Sequence, residues 1–541
     1  MNRKNSKWGS STALAMLICA SFTFTGCGSD NDSNGSGFRE TNIPQEEQDP
    51  EVARGQAVSR LETFGNEGFW TDAVKLPQGI VAAGLTPVQA LKAGLSVNTE
   101  ALDAATAQAV VDEIAADGTS GPILNDPATT IKLINANAVI GVVVKDTNGD
   151  GTLDVANGDK VGVSCVLCHA VTDKSAFDLP NGGSIGKEID GPAVHNINLG
   201  AIFAMAANTK ALYPMAQLKG ADGKSIGRAP SHRGLTKDST EAEFDAYFGN
   251  PKFYPIGMFD DTVDGIGNPM QNSALFQQDL AAPFGSAGEL ERFDQFANTV
   301  YTVLFDMTNL LTPGGRAFLR AAAGDGGDKL AADYEAVLAE TGVTGYPFVR
   351  TSTTGVPGSQ DAIIGVRVDE AALQAQVAYH NALRSPPGVV KDEDADAIAR
   401  GKAHFTGAEY GCTTCHNADN SAPVRSDVLD LATVFPGDAP VILAERLPPI
   451  TGPVSNTPGN TFDDKMTVIN ATLRGANRGS ALPLMMDLAR KPNFLHDNSV
   501  NSLKTLFSSS RGAKAPHPFY VDSKDRKDLV KYLESLDDTS K

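Results

Sequence analysis

Two copies of the pattern Cys-x-x-Cys-His constrain this chain more than any other feature of its sequence. The first copy is CVLCH at 165–169 and the second is CTTCH at 412–416. Two thiols at this spacing suit a disulfide, a zinc ion or a covalently bound porphyrin, and each alternative implies a different kind of protein. The remainder of the sequence distinguishes among them.

The cysteine count favours the porphyrin. Cys19 lies in an N-terminal export segment and Cys27 follows that segment, which leaves the four cysteines of the two pairs. A chain of 541 residues with two tight pairs is not a disulfide scaffold. A four-cysteine zinc site would join pairs that are far apart in the chain and would leave both histidines without a role. A thioredoxin-like redox pair needs no histidine and belongs to a βαβ pattern that this sequence lacks.

Each copy has the residue spacing that c-type haem attachment requires. Thiols one helical turn apart reach the two vinyl groups of a porphyrin, form thioethers, and leave the next imidazole against the iron. We therefore predict two covalently bound haem c groups. The residues that would hold them are Cys165, Cys168 and His169 for the first haem, and Cys412, Cys415 and His416 for the second.

The N-terminus predicts export and a lipid anchor. Residues 1–26 begin with basic residues and continue into an apolar run that is too short to cross a bilayer. The run ends in Phe-Thr-Gly-Cys, which resembles a bacterial lipobox with Cys27 as the lipidated residue; plain signal cleavage nearby is the alternative. Residues 27–50 are rich in Gly, Ser and Asp, which predicts a flexible tether. We expect a membrane-anchored lipoprotein in the periplasm or at the cell surface, and Gly28 favours the outer membrane.

The charge of the chain restricts its partners. The formal net charge is −20, and removal of residues 1–26 takes away three cations and leaves −23. Such a surface repels nucleic acid and favours basic partners, among them a small redox protein that exchanges electrons with this one. The expected partners are therefore such an electron donor or acceptor, and the membrane through the lipid.

The flanks of the second motif predict a cytochrome c-like domain. Gly401 and Phe405 fall at helical spacing and are similar to the first helix of class I cytochrome c domains. Residues 523–536 carry a leucine stripe that predicts an amphipathic closing helix, with Asp522 as its cap. Residues 386–541 are therefore predicted to form the C-terminal haem domain.

Residues 51–385 are predicted to form the N-terminal haem domain, so the fold class is mainly α with two cytochrome c-like domains. An opening helix is expected at 54–65, and roughly a hundred residues then intervene before the first motif. The alanine-rich segment 86–118 predicts helices within this large insertion. The Pro- and acid-rich segment 384–396 is the expected linker.

A candidate calcium loop precedes the first motif. The segment KDTNGDGTLDVANGDK places side-chain oxygens at alternate positions and a Gly at the sharp turn, as in the first half of an EF-hand loop. Position twelve holds Asn157 where a bidentate Glu is expected, so Asp159 is the nearest substitute, and a solvated acidic turn is the alternative. The candidate ligands are Asp146, Asn148, Asp150, Thr152 and Asp154.

The chain resembles the bacterial di-haem cytochrome c peroxidase superfamily, which also includes the enzyme that matures methylamine dehydrogenase and the larger rubber oxygenases. KPNFLHDNSVNSLKTLF at 491–507 resembles the family's His-Asp-Gly segment, with His496 in the His position and Asn498 replacing Gly. NGGSIGKEIDGPAVHNINLGAIF at 181–203 is similar to its Ser-Ile-Gly-His region, and LAAPFGSAGELERFDQFAN at 280–298 to its segment between the haems. The long spacing between the motifs is closer to the rubber oxygenases than to the smaller peroxidases.

Function depends on the sixth ligand of each iron, because an iron with two strong protein ligands carries electrons whereas an open one binds peroxide or oxygen. At the first haem, the resemblance would place a His where this chain has Lys187. His195, Met205 and Met215 are the other candidates there. A loop histidine and two core methionines are equally good interpretations of them.

At the second haem, the resemblance would place a Met or Tyr where this chain has Ser510, which is a poor ligand. His517 is the leading candidate, and Met485 and Met486 compete with it. The remaining candidates for surface or capping histidines are His232, His380 and His404.

We expect an exported di-haem oxidoreductase of the peroxidase type. The resemblance implies that the C-terminal haem takes electrons from a small donor and that the N-terminal haem reacts with peroxide, with Phe284 between the two. Two alternatives stay open: a pure electron carrier with both irons six-coordinate, and an oxygen-dependent dioxygenase similar to the rubber oxygenases.

Overall fold

Helices dominate the regular structure and the strands are few and short, which confirms the mainly α prediction. The computed structural model describes residues 49–541 except 219–233, 425–428, 431–478 and the positions 252, 262, 264, 266, 268, 286, 287, 496, 497, 499, 514 and 516. The predicted signal peptide, Cys27, most of the tether, His232 and His496 lie outside the described residues. Among the helices that are described, none combines the length and apolar character needed to cross a bilayer.

The described α-helices are short, and none of them is longer than sixteen residues. They are α1 Pro50–Leu61, α2 Asn66–Gly68, α3 Leu76–Ala83, α4 Pro87–Lys92, α5 Ala104–Asp117, α6 Pro127–Asn135, α7 Val166–His169, α8 Leu199–Phe203, α9 Glu241–Phe248, α10 Phe293–Thr299, α11 Pro313–Ala323, α12 Asp325–Glu340, α13 Glu370–Ala382, α14 Ala395–Thr406, α15 Leu503–Leu506 and α16 Ser523–Glu534.

Short 3₁₀ and π turns connect many of these helices. The 3₁₀ turns are Thr99–Ala101, Gly118–Ser120, Val155–Asn157, Thr209–Met215, Gln278–Leu280, Met307–Leu311, Asp392–Asp394, Cys412–Thr414, Leu488–Arg490 and Ser509–Arg511, and the π turns are Phe69–Ala73 and Val300–Leu304.

The strands form small sheets of two or three members. They are β1 Val97–Asn98, β2 Val142–Lys145, β3 Lys160–Val163, β4 Ala170–Thr172, β5 Phe177–Asp178, β6 Ser184–Gly186, β7 Glu188–Asp190, β8 Met258–Phe259, β9 Met270–Gln271, β10 Thr353–Thr354, β11 Val366–Arg367, β12 Leu429–Asp430 and β13 Gly479–Ser480. In the three-stranded sheet β6 lies between β1, which is parallel to it, and β5, which is antiparallel. The other sheets are the antiparallel pairs β2–β3, β4–β7, β8–β9, β10–β11 and β12–β13.

Helices α1 and α13 come from distant parts of the chain and cross at a glycine. Asp49 and Asp369 cap their N-termini by accepting backbone N–H bonds, as aspartate commonly does. A Cβ on Gly55 would lie 1.9 Å from the Ala375 carbonyl oxygen and 2.6 Å from the Tyr379 Cβ. The two backbones can approach this closely because Gly55 has no side chain.

Helices α14 and α16 cross in the same way beside the second motif. A Cβ on Gly401 would lie 2.0 Å from the Asp528 carbonyl oxygen and 2.7 Å from the Tyr532 Cβ. The rings of Phe405 and Tyr532 have centroids 5.6 Å apart. Both helices were predicted from the sequence, although the side chain of Asp522 makes no capping hydrogen bond to α16.

The buried apolar residues form two main clusters. The larger extends from Val58 to Leu373 and the smaller from Phe405 to Leu536, so each motif has its own hydrophobic core. A small third cluster combines Phe276 and Tyr379 with Met486, which lies beyond the second motif. The described residues belong to one compact unit, and a domain boundary between 385 and 386 stays a prediction.

The predicted linker is attached to the C-terminal core. The Val389 amide donates to the Glu534 carbonyl oxygen over 2.8 Å, and the Gly388 amide donates to the Asp537 carboxylate over 3.1 Å. Arg490 donates to the Pro387 carbonyl oxygen over 2.7 Å. This segment therefore packs along the end of α16 before the chain enters α14.

Replacement of Gly401 by Val should destabilise the α14–α16 crossing. The new side chain would meet the Asp528 carbonyl oxygen, and overpacking of this kind costs about 2 kcal/mol of unfolding free energy. Denaturant unfolding followed by circular dichroism measures this loss. Ala399→Val adds the same side chain at an exposed position of the same helix and should cost less than about 0.7 kcal/mol. Equal losses in the two variants would contradict the close crossing.

Candidate haem-binding sites

The first motif forms one helical turn against the N-terminal core. Cys165 immediately precedes α7, and the Cys168 amide donates to the Cys165 carbonyl oxygen over 3.3 Å. The hydroxyl of Ser164 donates to the carbonyl oxygen of Arg60 at the end of α1 over 2.8 Å. One turn places both sulfurs on the same side of the backbone, and both thiols are free and partly accessible.

The second motif forms a comparable turn. Gly411 enters it with φ +68°, a left-handed conformation that suits glycine. The amides of Cys415 and His416 both donate to the Cys412 carbonyl oxygen, over 3.2 and 3.0 Å. The turn packs against the smaller core through Cys412. Each motif therefore forms one tight turn that carries two thiols and one imidazole, an α-helical turn in the first and a 3₁₀ turn in the second.

A backbone carbonyl fixes the tautomer of His169. Its Nδ1 atom lies 2.7 Å from the Ser273 carbonyl oxygen, and a carbonyl can only accept, so Nδ1 carries the proton. Burial lowers the pKa of His169 to about 4, and the ring is neutral at pH 7. Nε2 therefore has the free lone pair that a metal ligand needs, as is usual for histidines with a second-shell acceptor.

The thiols of the first motif lie against the larger hydrophobic core. Burial raises the pKa of Cys168 to about 12, and burial likewise raises the pKa of Cys165. Both side chains nevertheless keep part of their surface accessible. Both thiols are therefore protonated at pH 7.

Helices α1 and α13 supply a polar network to the first motif. Gln376 donates to the Cys165 sulfur over 3.2 Å, to the Tyr301 hydroxyl over 3.2 Å and to the Ser59 hydroxyl over 3.3 Å. The Ser59 hydroxyl lies 3.1 Å from Nε2 of His380. The prediction that His380 is a surface or capping residue is wrong, since it is 2% exposed. His380 is buried because it lies on the face of α13 that packs against α1.

Ser59, Tyr301 and Gln376 were not predicted from the sequence as site residues. Ser59 could have been found, because it follows Gly55 by four residues, the spacing at which Phe405 follows Gly401 before the second motif. Tyr301 and Gln376 come from segments without a motif. Only the fold brings them to Cys165.

A buried ion pair lies on the strand next to His169. The Gly191 amide donates to the His169 carbonyl oxygen over 2.8 Å, directly after β7. On β7, Asp190 accepts from Arg60 over 2.8 Å, and burial together with Asp190 raises the pKa of Glu188 to about 8. Two carboxyl groups beside one guanidinium are balanced when one of them keeps its proton, so this cluster adds little net charge near His169.

At the second motif the structure brings two imidazoles together. The ring centroids of His416 and His517 are 6.2 Å apart. Metal–nitrogen bonds of about 2 Å on each side of one ion place the centroids of two ligating imidazoles about 6 Å apart. The separation is therefore compatible with two ligands of one ion, and His517 as the sixth ligand stays a prediction.

His517 has the properties of a residue held for a ligand. Its φ of +53° is uncommon for a residue with a side chain, and its Nδ1 is buried without a hydrogen-bond partner. Burial, reinforced by His416, lowers the pKa of His517 to about 4, so both rings are neutral. The rings of Phe507 and Phe519 flank it, with centroids 6.2 and 5.2 Å away.

The competing ligands are less well placed. Met485 lines the small cleft beside Cys415 and His416 and remains the second candidate. Met486 packs into the third cluster with Phe276 instead. Ser510 is exposed and hydrogen-bonds Ser508, so it is not directed at His416.

At the first motif no such pair forms in the described part of the chain. His195 is half-buried with its Nδ1 enclosed and unpartnered, and desolvation followed by Lys491 lowers its pKa to about 3, but its ring is not in contact with that of His169. Met215 is completely buried in the larger core, and Met205 is half-buried against the same core. The Lys187 amide donates to the Asp173 carboxylate in the turn between β6 and β7.

Phe284 belongs to an aromatic group that reaches His380. Its ring centroid is 5.7 Å from that of Phe293 and 6.3 Å from that of Phe296, and Phe293 is 4.9 Å from His380. The group therefore lies beside the polar network of the first motif. A position of Phe284 between two haems stays a prediction.

The candidate calcium loop connects the strands of the β2–β3 hairpin. Asp146 accepts backbone N–H bonds from Gly149 and Gly151, and Asp159 accepts from Thr147, Asn148 and Asp154. Asn157 donates its side-chain amide to Asp150 over 2.9 Å, so position twelve does not supply an oxygen there. Within the described residues, the loop does not bring three carboxylates within ligating distance of one another, and calcium binding stays a prediction.

Comparisons with known proteins add little to this geometry. No family model matches the chain, and no curated protein matches it. One solved structure, Kuenenia stuttgartiensis hydrazine synthase pressurised with 20 bar xenon, is similar over 60% of this chain and 87% of the other, at 14% identity and a TM-score of 0.29. A likeness of that strength carries no argument about fold or function, so the residues themselves carry the assignment.

Intact mass should report two haems in the exported chain and one in each motif variant. Cys165→Ala with Cys168→Ala removes both thioether positions of the first site, and Cys412→Ala with Cys415→Ala removes those of the second, while the other site is unaffected. Mass spectrometry after acid-acetone extraction measures the covalently retained haem. A variant pair that keeps two haems would contradict the assignment of that motif.

Acid should destabilise the α1–α13 crossing through His380. Burial lowers the pKa of His380 from 6.5 to about 4, so the unfolded chain takes up this proton at a higher pH than the folded chain. The stabilisation is complete above pH 6.5 and decreases towards pH 4, by up to about 3 kcal/mol. The unfolding free energy, measured with urea across this range, should fall less steeply with acid in His380→Gln than in the unaltered chain. Equal slopes would show that His380 is not the group responsible.

Proposed function

We propose that the protein is an exported di-haem c-type cytochrome oxidoreductase of the peroxidase type. The observation that carries the proposal is an asymmetry between the two motifs. The ring of His416 lies 6.2 Å from that of His517 between centroids, whereas the described part of the chain shows no ring contact between His169 and another imidazole, although His169 is close enough to His380 to help lower its pKa. An enzyme that accepts electrons at one iron and reacts at the other needs this difference, because a six-coordinate iron transfers electrons and an open one binds a substrate.

Two groups of residues on this chain hold and orient the proposed haems. The four motif cysteines attach them, and His169 and His416 provide the proximal imidazoles. The Ser273 carbonyl keeps a proton on Nδ1 of His169, so Nε2 would be free to bind the iron. When bound, the haem iron supplies the redox chemistry.

The environment of each site suits its proposed role. His416 and His517 are both neutral, because burial lowers their pKa, so no proton has to leave before they ligate. At the first site, Tyr301 stays protonated because burial raises its pKa, and it lies 3.1 Å from the Cys165 sulfur. The Tyr301–Gln376 pair therefore positions Cys165 with neutral donors and adds no charge beside the reactive iron.

The proposed electron donor is a small redox protein with a basic surface. The net charge of −23 on the chain without residues 1–26 attracts such a partner and accelerates the encounter at low salt. Lipidation of Cys27 would hold the enzyme at the membrane surface, facing the compartment in which such carriers diffuse.

Electron paramagnetic resonance of the haem-loaded chain tests the asymmetry. We expect one low-spin signal from the second site and one high-spin, cyanide-binding signal from the first. His517→Ala should convert the low-spin signal to high spin and leave the first signal unchanged, because removal of one axial ligand opens the second iron. Met485→Leu is the matched control, since it alters a residue in the cleft beside His416 without removing an imidazole.

Other outcomes would select another function. If both irons are low-spin and do not react with cyanide or peroxide, the protein is an electron carrier. If peroxide is not consumed but oxygen is consumed with a polyisoprene, it is an oxygenase. Loss of the low-spin signal in Met485→Leu but not in His517→Ala would assign the ligand to Met485.

A further inference from the structure

A cluster of mixed donors lies beside the second motif but is not part of it. His404 is in the last turn of α14, Glu409 is in the loop that leads to Cys412, and Asp525 is in the first turn of α16. One ligand atom from each of the three side chains lies within 4.8 Å of the other two. Three segments of the chain thus converge on one point through an imidazole and two carboxylates.

The spacing within the cluster is too long for hydrogen bonds. Nε2 of His404 lies 3.6 Å from Oδ1 of Asp525, beyond the normal range for a hydrogen bond. Two ligands of one ion with bonds of about 2 Å are normally between 3 and 4 Å apart. Within the described part of the chain, the imidazole of His404 makes no hydrogen bond, and its ring packs against that of Tyr410, with centroids 5.9 Å apart.

A second-shell contact holds one of the carboxylates in position. The Tyr410 hydroxyl donates to Oδ2 of Asp525 over 2.7 Å, and this bond raises the pKa of Tyr410 to about 12. The hydroxyl therefore remains a donor and leaves Oδ1 directed at His404. Metal-ligating carboxylates are commonly oriented by such outer-shell hydrogen bonds.

We propose that His404, Glu409 and Asp525 bind a divalent transition-metal ion of the Zn²⁺ type. One imidazole and two carboxylates form a donor set that suits zinc, with water in the remaining position. The cluster lies at the surface, where Glu409 is exposed, so an ion enters from solvent. Lys524 is the nearest cation, with Nζ 3.9 Å from Asp525, and its side chain is 77% exposed and free to turn into solvent.

A bound ion would join the ends of the α14–α16 crossing to the loop that carries the second motif. Because the three ligands come together only in the folded chain, the ion stabilises the folded state by mass action. The inference concerns a separate site and does not rest on the proposed oxidoreductase activity.

Calorimetric titration of the haem-loaded, chelator-treated full chain with ZnCl₂ tests this site. We expect one class of binding that weakens at least tenfold in His404→Ala and in Glu409→Gln. Glu409 is exposed, so its replacement should leave the fold unchanged. Asp528→Asn removes an equivalent charge one turn further along α16, where it pairs with Arg400, and should bind zinc normally.

X-ray absorption at the zinc edge identifies the donors. The expected spectrum has one imidazole and oxygen ligands at about 2.0 Å and no sulfur. Sulfur ligands would show that zinc occupies haem-free motif cysteines. The proposal is overturned if His404→Ala and Glu409→Gln bind zinc as well as the unaltered chain, or if the spectrum contains no imidazole.

Discussion

The close approach of helices at two glycines is the constraint on which the rest of the structure depends. At Gly55 and at Gly401 the partner helix presents a backbone carbonyl oxygen about where a Cβ would be. In both crossings a tyrosine of the partner helix, Tyr379 or Tyr532, lies against the glycine. Each crossing closes one hydrophobic core, and each core supports one Cys-x-x-Cys-His turn. Contact at such short range fixes the relative position of two helices, which in turn fixes the side chains that they present to the motif.

The two cores place different side chains around their motifs. In the N-terminal core, α1 and α13 contribute Ser59, Gln376 and His380, which extend a polar network to Cys165. In the C-terminal core the equivalent space holds the apolar Phe405, and a loop after α15 returns to place His517 opposite His416. Burial keeps all of these imidazoles neutral, because desolvation penalises the charged ring. Neutral imidazoles are the form in which histidine binds a metal.

Much of the site was predictable from short patterns. The Cys-x-x-Cys-His spacing is local, so one helical turn suffices to produce the thiol arrangement that the structure contains. The opening helix predicted at 54–65 exists but spans Pro50–Leu61, four residues earlier, and the helices Ala395–Thr406 and Ser523–Glu534 were predictable from their periodic apolar positions. His517 was proposed from the sequence as a ligand at the second haem, and the structure brings its ring into contact with that of His416, while ligation itself stays a prediction. The interpretation of His380 as a surface histidine failed, since burial in a helix interface depends on which helix packs against it.

The sequence by itself determined the two attachment motifs, the helical class and the strongly acidic charge, because each of these follows from residue type and short-range spacing. The tertiary structure alone decided that Ser273 meets His169 and that Gln376 and Tyr301 meet Cys165, and it placed His517, which the sequence had suggested, against His416. These contacts join residues that are a hundred or more positions apart in the chain. They form because helices from distant segments pack together, and short-range sequence patterns do not predict which helices will pack.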